Sequence, residues 1–205
     1  EPTAAIDILQ ALAQIYPPAG AASPAGAPGQ GTADEQPPEA ETAPAAGRRP
    51  PTVVALAGGY GANRTTQLRR IVWQTAQDSV GPGASELVVP VFISFDRFRA
   101  SEFSSNDPIS DMVRAAMRRH WRDLDGPQFA SLLAGRSPIL RFVFHNSDNL
   151  TDPELLMVLK QLRLFAERYP QHQFIFGINP NRLVQDLFAG VDLHVLILQP
   201  LDRRK

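Results

Sequence analysis

Residues 52–70 read TVVALAGGYGANRTTQLRR, and this stretch decides the fold class. Its first six residues form a β-branched, apolar run that is typical of a strand covered on both faces. A Gly-rich turn follows, and apolar residues then repeat at helical spacing, at Leu68, Ile71 and Val72. The stretch therefore predicts a buried strand, a tight loop and a helix, which together make the first half of a parallel β–α–β unit.

The same alternation of strands and helices continues toward the end of the chain. Further strands are predicted at LVVPVFISF (87–95), PILRFVFH (138–145), QFIFGI (173–178) and HVLILQPL (194–201). Helices are predicted at 64–77, 109–121, 128–135, 153–169 and 181–190, with Asp152 as the N-cap of the fourth. We expect an α/β fold, a three-layer α/β/α sandwich around a five-stranded, mainly parallel sheet of the P-loop NTPase type.

The first 51 residues differ in composition from the rest. They hold 10 of the 19 prolines, and residues 17–51 contain no Leu, Ile, Val or aromatic residue. Such a segment buries too little apolar surface to offset its ordering entropy, so we predict a disordered Pro/Ala-rich linker. Residues 1–16 carry a short helix pattern with Ile6, Leu9 and Leu12 on one stripe. This helix is interpreted either as the tail of an upstream module or as a docking helix, and residues 52–205 as the main domain.

Charge and cysteine content exclude several classes of function. The 20 basic and 21 acidic residues give a formal net charge of −1, which offers no overall attraction to nucleic acid or to an anionic membrane. No apolar run approaches the ~20 residues that a transmembrane helix needs. Cysteine is absent, which excludes disulfides and thiolate metal sites within this sequence. We expect a cytoplasmic protein, and because the chain starts at Glu1 we expect it to be part of a longer one.

The loop after the first predicted strand follows part of the phosphate-binding pattern G-x-x-x-x-G-K-[ST]. In that motif the backbone N–H groups cradle phosphates, the Lys reaches the β- and γ-phosphates, and the hydroxyl holds magnesium. The candidate nucleotide-binding residues are Gly58, Gly61, Asn63, Arg64, Thr65 and Thr66. Asn63 replaces the second Gly and tolerates left-handed backbone, whereas Arg64 replaces the Lys with a larger, planar cation. The loop is therefore either a nucleotide-site remnant or a Gly-rich strand-to-helix turn.

The end of the third predicted strand, RFVFHNSDN, carries the second candidate group. His145 stands where a magnesium-binding Asp would follow the strand, and it is a poor ligand for an ion that prefers oxygen. Asp148 and Asn149 stand where an acidic pair could lie, but an Asn side chain cannot act as a general base. Asp148 alone keeps a carboxylate, and it is equally typical of a turn.

The order and spacing of these segments resemble the NACHT/STAND group of P-loop ATPases over nearly all of residues 52–202. The matching stretches are VVALAGGYGANRTTQLRRIVWQTA, LVVPVFISFDRF, FVFHNSDNL, LRLFAERYPQHQFIFGINPNRL and LILQPLD. The sequence departs from the family at the positions that bind nucleotide and magnesium, because the family's loop Gly and Lys correspond to Asn63 and Arg64. Its magnesium Asp and acidic partner correspond to His145 and Asn149, and GINP lacks the family's sensor Arg.

The resemblance implies a catalytically inactive STAND-like domain, a pseudo-NTPase that serves as a sensor, adaptor or scaffold in bacterial signalling or conflict systems. It implies no catalytic residue, no metal and no cofactor, with ATP or GTP binding without hydrolysis left open. The expected partners are proteins, recruited through an upstream adaptor module and the linker, and neither a membrane nor nucleic acid is expected.

Two alternatives to this function stay open, and with them the question of whether the protein is an enzyme. The first is a divergent ATP- or GTP-binding switch or weak NTPase, in which Arg64 replaces Lys and Asp148 holds the metal through water. The second is a nucleic-acid-binding module. It would bind through four arginines on and just after the helix predicted at 109–121, which are Arg114, Arg118, Arg119 and Arg122. Such a group of arginines is more typical of a solvated helix face.

Overall fold

The computed structural model describes residues 7–17, 51–60, 62–82, 84, 86–95 and 107–199. Most of the predicted linker at 17–51 lies outside these residues, as does the loop residue Gly61. Within the described part of the chain, no helix is long and apolar enough to cross a membrane.

Five parallel strands form one sheet. They are β1 (Thr52–Ala57), β2 (Val88–Ser94), β3 (Ile139–His145), β4 (Gln173–Ile178) and β5 (Asp192–Ile197). Their order across the sheet is β2-β3-β4-β1-β5, and every neighbouring pair is parallel. The predicted α/β class and five-stranded sheet are therefore confirmed, with all strands parallel.

Helices cover both faces of the sheet. They are α1 (Ile8–Ile15), α2 (Arg64–Val80), α3 (Pro108–Arg118), α4 (Gly126–Ala134) and α5 (Asp152–Arg168). One core joins α1 and α2 to the sheet, and its members include Leu12, Leu56, Leu68 and Ile71. A second core joins α3, α4 and α5 to the opposite face. The predicted three layers are confirmed.

The face under α3, α4 and α5 is rich in aromatic residues. Four fully buried phenylalanines alternate along β3 and β4, at Phe142, Phe144, Phe174 and Phe176. Phe165 of α5 meets two of them edge to face, with ring centroids 5.6 Å and 5.9 Å apart. These rings fix α5 against the sheet, because each of them removes a large apolar surface from water.

Two local expectations are wrong. The N-cap of α5 is Thr151 rather than Asp152, because Glu154 stands three residues after Thr151 and its carboxylate accepts the Thr151 N–H at 2.8 Å, forming a capping box. The helix expected at 181–190 is instead two short 3-10 turns, Pro180–Arg182 and Gln185–Phe188, separated by extended backbone. The Asn179 side chain caps the first turn, and each turn is too short to become an α-helix.

Helix α1 packs against the main domain. Ile8 and Leu12 are buried against the sheet and α2, whereas Ile6 of the expected stripe lies outside the described residues. At the end of α1, the single proton of the Tyr16 hydroxyl is shared between the carbonyls of Thr52 and Phe174, whose oxygens lie 3.0 Å and 3.2 Å away. The helix is thus fixed by a small apolar contact and by one hydroxyl at the amino ends of β1 and β4.

Candidate functional site

The loop after β1 lies where the connections of the sheet diverge. In the sheet β1 lies beside β4, and the connection from β1 to β2 carries α2 over one face, whereas the connection from β4 to β5 runs over the other. Open parallel sheets bind ligands outside the carboxyl ends of their strands at such a switch point. The position of the loop therefore suits a ligand site, and its side chains determine what the site can do.

Gly58 allows three segments to meet at the start of this loop. Its N–H donates to the Ile178 carbonyl at 3.1 Å, which ties the loop to the end of β4. A Cβ atom at this position would lie 3.0 Å from the Cβ of Ala62 and 3.1 Å from that of Leu198. A larger residue here would therefore crowd Ala62 and Leu198, which would have to shift by a few tenths of an ångström.

Asn63 makes the turn from the loop into α2. Its φ of 49° and ψ of 34° place it in the left-handed region that Gly and Asn adopt most readily. Its side chain makes no capping hydrogen bond to the helix. Thr65 and Thr66 follow in the first turn of α2, the former half-buried and the latter exposed. The substitution of Gly by Asn thus keeps the shape of the turn.

Arg64 folds back over the loop instead of pointing away from it. Its Nη1 donates to the Gly58 carbonyl at 2.6 Å, and its Nη2 donates to the Asp148 carboxylate. The Arg64 side chain is only 17% exposed, while that of Asp148 is 45% exposed. This ion pair joins the loop after β1 to the loop after β3, and it occupies both charged groups that the sequence assigned to nucleotide chemistry.

Asp148 reaches Arg64 because a short 3-10 turn, Ser147–Asn149, follows β3 directly. Asn146 opens this turn with a φ of 62°, again in the left-handed region. The buried Ser147 hydroxyl donates to the Gly177 carbonyl at 2.8 Å. The turn is therefore fixed to β4, and it presents the carboxylate toward the loop after β1.

Arg182 is the site residue that sequence reasoning missed. Its guanidinium donates to the Leu150 carbonyl at 2.7 Å, the Ser147 carbonyl at 3.3 Å and the Asp152 carboxylate at 3.0 Å. It thereby holds the segment that carries Asp148. The resemblance would place a sensor arginine directly after β4, where GINP has none, and Arg182 lies four residues beyond β4 within the Pro180–Arg182 turn. The local signal that could have indicated this turn is its Asn-Pro-Asn-Arg composition.

The other residues expected near the third strand have structural roles. His145 is 7% exposed, and its ring stacks on Phe92 of β2 with centroids 4.1 Å apart and planes within 7°. Asn149 ends the 3-10 turn, and its N–H donates to the Asn146 carbonyl at 3.3 Å. Among the described residues, no three His, Asp or Glu side chains are grouped so that they could hold a metal ion.

The four arginines considered for nucleic acid do not share one helix face. Arg114 and Arg118 belong to α3, Arg119 caps it, and Arg122 lies in the turn beyond. The Arg118 Nε donates to the Leu124 carbonyl at 3.2 Å, so this side chain stabilises the turn into α4. The half-buried Arg114 approaches Gly126 at the start of α4. At least Arg118 is thus used within the fold.

No protein-family model matches the chain, and no curated protein is significantly similar to it. The class that the fold and the loops define is an all-parallel α/β domain that begins with a strand, a glycine-containing loop and a helix. The function is therefore argued from the geometry of the two loops.

Proposed function

We propose that residues 52–205 are a catalytically inactive STAND/NACHT-like P-loop domain, which serves as a sensor, adaptor or scaffold in a bacterial signalling or defence system. The ion pair between Arg64 and Asp148 is the observation that carries this proposal. It lies between the loops after β1 and β3, where such a domain would bind phosphate and magnesium.

The ion pair opposes nucleotide hydrolysis in two ways. A γ-phosphate needs a free cation from the loop after β1, but the Arg64 guanidinium already serves the Gly58 carbonyl and the Asp148 carboxylate. Magnesium needs a free carboxylate, but that of Asp148 is neutralised by the arginine. Separating the pair to admit a nucleotide would place the carboxylate near phosphate charges, which raises the energy of the complex.

The remaining positions offer no replacement for the lost groups. His145 is packed against Phe92, and imidazole is a poor ligand for magnesium. Asn149 has no basic group that could activate water. The domain thus keeps the backbone framework of the loop, with Gly58 and Asn63 in place, and lacks the chemistry. This combination suits a domain whose use is to present surfaces to protein partners, joined to another module by a linker that raises their effective concentration.

A nucleotide-binding experiment tests the proposal. We expect the full chain to release no phosphate from Mg-ATP or Mg-GTP in a magnesium-dependent manner. The substitution Asp148→Asn should free Arg64 and raise the affinity for inorganic pyrophosphate by about tenfold, since one charge-assisted hydrogen bond is worth roughly 1.5–3 kcal/mol. The control is Asp123→Asn, which removes an exposed carboxylate beyond α3.

Magnesium-dependent turnover that disappears in Asp148→Ala would contradict the proposal and favour the divergent NTPase. Isothermal titration calorimetry with Mg-ATP shows whether the domain binds nucleotide without hydrolysing it. Binding without turnover would keep the domain inactive as an enzyme and would make it a nucleotide-gated switch.

A further inference from the structure

A cavity of about 430 Å³ lies near the amino ends of the strands, at the end of the sheet opposite to the two loops. Helix α1 forms one wall with Leu9, Leu12, Ala13 and Tyr16, and the second half of α2 forms another. The amino ends of β2, β3 and β4 form the floor. Small-molecule sites in proteins have volumes of roughly 300–1,000 Å³, so the cavity can hold a small organic ligand.

Arg141 is the cation of this cavity. Its Nε donates to the Gln173 side chain and its Nη1 to the Thr75 hydroxyl, each at 2.6 Å. The Tyr16 ring lies 5.8 Å from the guanidinium carbon. Burial lowers the pKa of Arg141 from its ordinary value, which reflects the cost of keeping this charge away from water.

The guanidinium has spare hydrogen-bonding capacity. Among the described residues, no carboxylate lies within 4.0 Å of Arg141, and none accepts a hydrogen bond from its Nη2. A half-buried arginine fixed at two nitrogens and open at the third is preorganised for a carboxylate.

Two carboxylates line the same cavity, those of Asp78 and Glu86. The Gln74 amide holds one Asp78 oxygen at 2.7 Å. A simple anion would be attracted by Arg141 and repelled by the two carboxylates. A simple cation would be attracted by the carboxylates and repelled by Arg141. A molecule with both charges and an apolar body complements the arginine, the carboxylates and the leucine-lined wall together.

We infer that this cavity binds a free amino acid with an apolar side chain, such as leucine or phenylalanine. The ligand carboxylate pairs with Arg141, its ammonium group lies toward Asp78 and Glu86, and its side chain contacts Leu9 and Leu12. Since α1 supplies a wall of the site, binding stabilises the docked helix by thermodynamic linkage. The inference rests on this cavity alone and does not depend on the loop after β1.

Calorimetry on the full chain with L-leucine and L-phenylalanine tests the inference. Two analogues of leucine each remove one charge: 3-methylbutylamine lacks the carboxylate, and 4-methylpentanoate lacks the ammonium group. We expect saturable binding of at least one amino acid and at least about tenfold weaker binding of each matched analogue, the loss expected for one ionic contact.

Variants locate the site. The double substitution Asp78→Asn with Glu86→Gln alters half-exposed or exposed groups and should leave the fold intact. The double variant should bind leucine about tenfold more weakly than the natural sequence does, and it should bind 4-methylpentanoate with equal or slightly higher affinity. Arg141→Gln should weaken both ligands, and Asp111→Asn on α3 is the matched control. The inference would be overturned if neither amino acid showed saturable binding, or if leucine bound the double variant and the control with equal affinity.

Discussion

Gly177 sets how closely α2 approaches the sheet. A Cβ atom at this position of β4 would lie 2.7 Å from the Leu68 Cδ1, so the buried Leu68 side chain would have to leave its packed position or α2 would have to move. We expect Gly177→Ala to lower the free energy of unfolding by about 1–3 kcal/mol, as overpacking of a core does. Urea denaturation measures it. Gly59→Ala is the control, because nothing lies within 4 Å of its Cβ, and equal midpoints for the two variants would contradict the prediction.

His172 links the stability of the domain to pH. The buried ring accepts the Leu140 N–H at Nδ1 at 3.2 Å, and its Nε2 donates to the Leu133 carbonyl at 3.0 Å, so the neutral form is the one that fits. Burial lowers the pKa of His172 below its ordinary value near 6.5. The unfolded chain therefore binds a proton that the folded chain does not, and stability falls as the pH drops from about 6.5 to the lowered pKa.

Urea midpoints measured between pH 7.5 and pH 5 check this expectation. The variant His172→Gln keeps a donor and an acceptor but has no proton to gain, so its midpoint should change less across this range. Parallel pH curves for the variant and the natural sequence would show that other groups dominate.

At the scale of secondary-structure elements, the Tyr16 hydroxyl fastens α1 to the sheet. Its one proton is shared between the carbonyls of Thr52 and Phe174, and its oxygen accepts the Phe174 N–H at 3.3 Å. Burial raises the pKa of Tyr16 above its ordinary value, so the hydroxyl stays protonated throughout the neutral range. We expect Tyr16→Phe to weaken the docking of α1 by about 1 kcal/mol, the net value of a hydrogen bond.

Amide hydrogen exchange measures this effect locally. In Tyr16→Phe the amides of α1 should exchange faster, while those of β3 and α5 should stay protected, because α1 opens without the rest of the domain. Gln14→Ala, an exposed position on the same helix, should leave the exchange of α1 nearly unchanged. Uniformly faster exchange in every element would instead show that Tyr16 supports the whole fold.

The elements also show where sequence patterns succeed. Four strands were predicted to within one residue at each end, because a strand buried on both faces has a continuous apolar run, as in TVVALA and RFVFH. The fifth was expected at 194–201 and instead runs from Asp192 to Ile197, where the side chains are only partly buried or exposed. The region 181–190 was predicted wrongly, since its spacing of apolar residues also fits a helix. The chain there follows the contacts of Arg182 with the loop after β3, and such contacts have no periodic signature.

At the scale of the whole molecule, α1 is held to the domain by few contacts and by the chain itself. Its apolar contact centres on Ile8 and Leu12, with an exposed ion pair between Asp7 and Arg70 at 3.0 Å. A helix this short is marginal in isolation, so covalent connection supplies much of its local concentration. Cleavage of the chain within residues 18–50 should therefore release α1 on dilution.

A protease site inserted in that segment allows the experiment. After cleavage, size-exclusion chromatography at low micromolar concentration should separate the amino-terminal peptide from the domain, since tethers give effective concentrations on the order of millimolar. The uncleaved chain with the same insertion is the control. Co-elution of the peptide after cleavage would show that the α1 contact is strong by itself.

The sequence alone determined the strand–loop–helix order, the apolar runs that mark the buried strands and the identity of the candidate residues in both loops. These properties follow from local periodicity and from residue chemistry, which depend on neighbours in the chain. Only the tertiary structure decided what those residues do. Arg64 and Asp148 are separated by 84 positions, and no local pattern could show that they neutralise each other. Strand order also brings distant segments together at both ends of the sheet, since α1 docks at the amino ends of β1 and β4 and Arg182 supports the loop after the carboxyl end of β3.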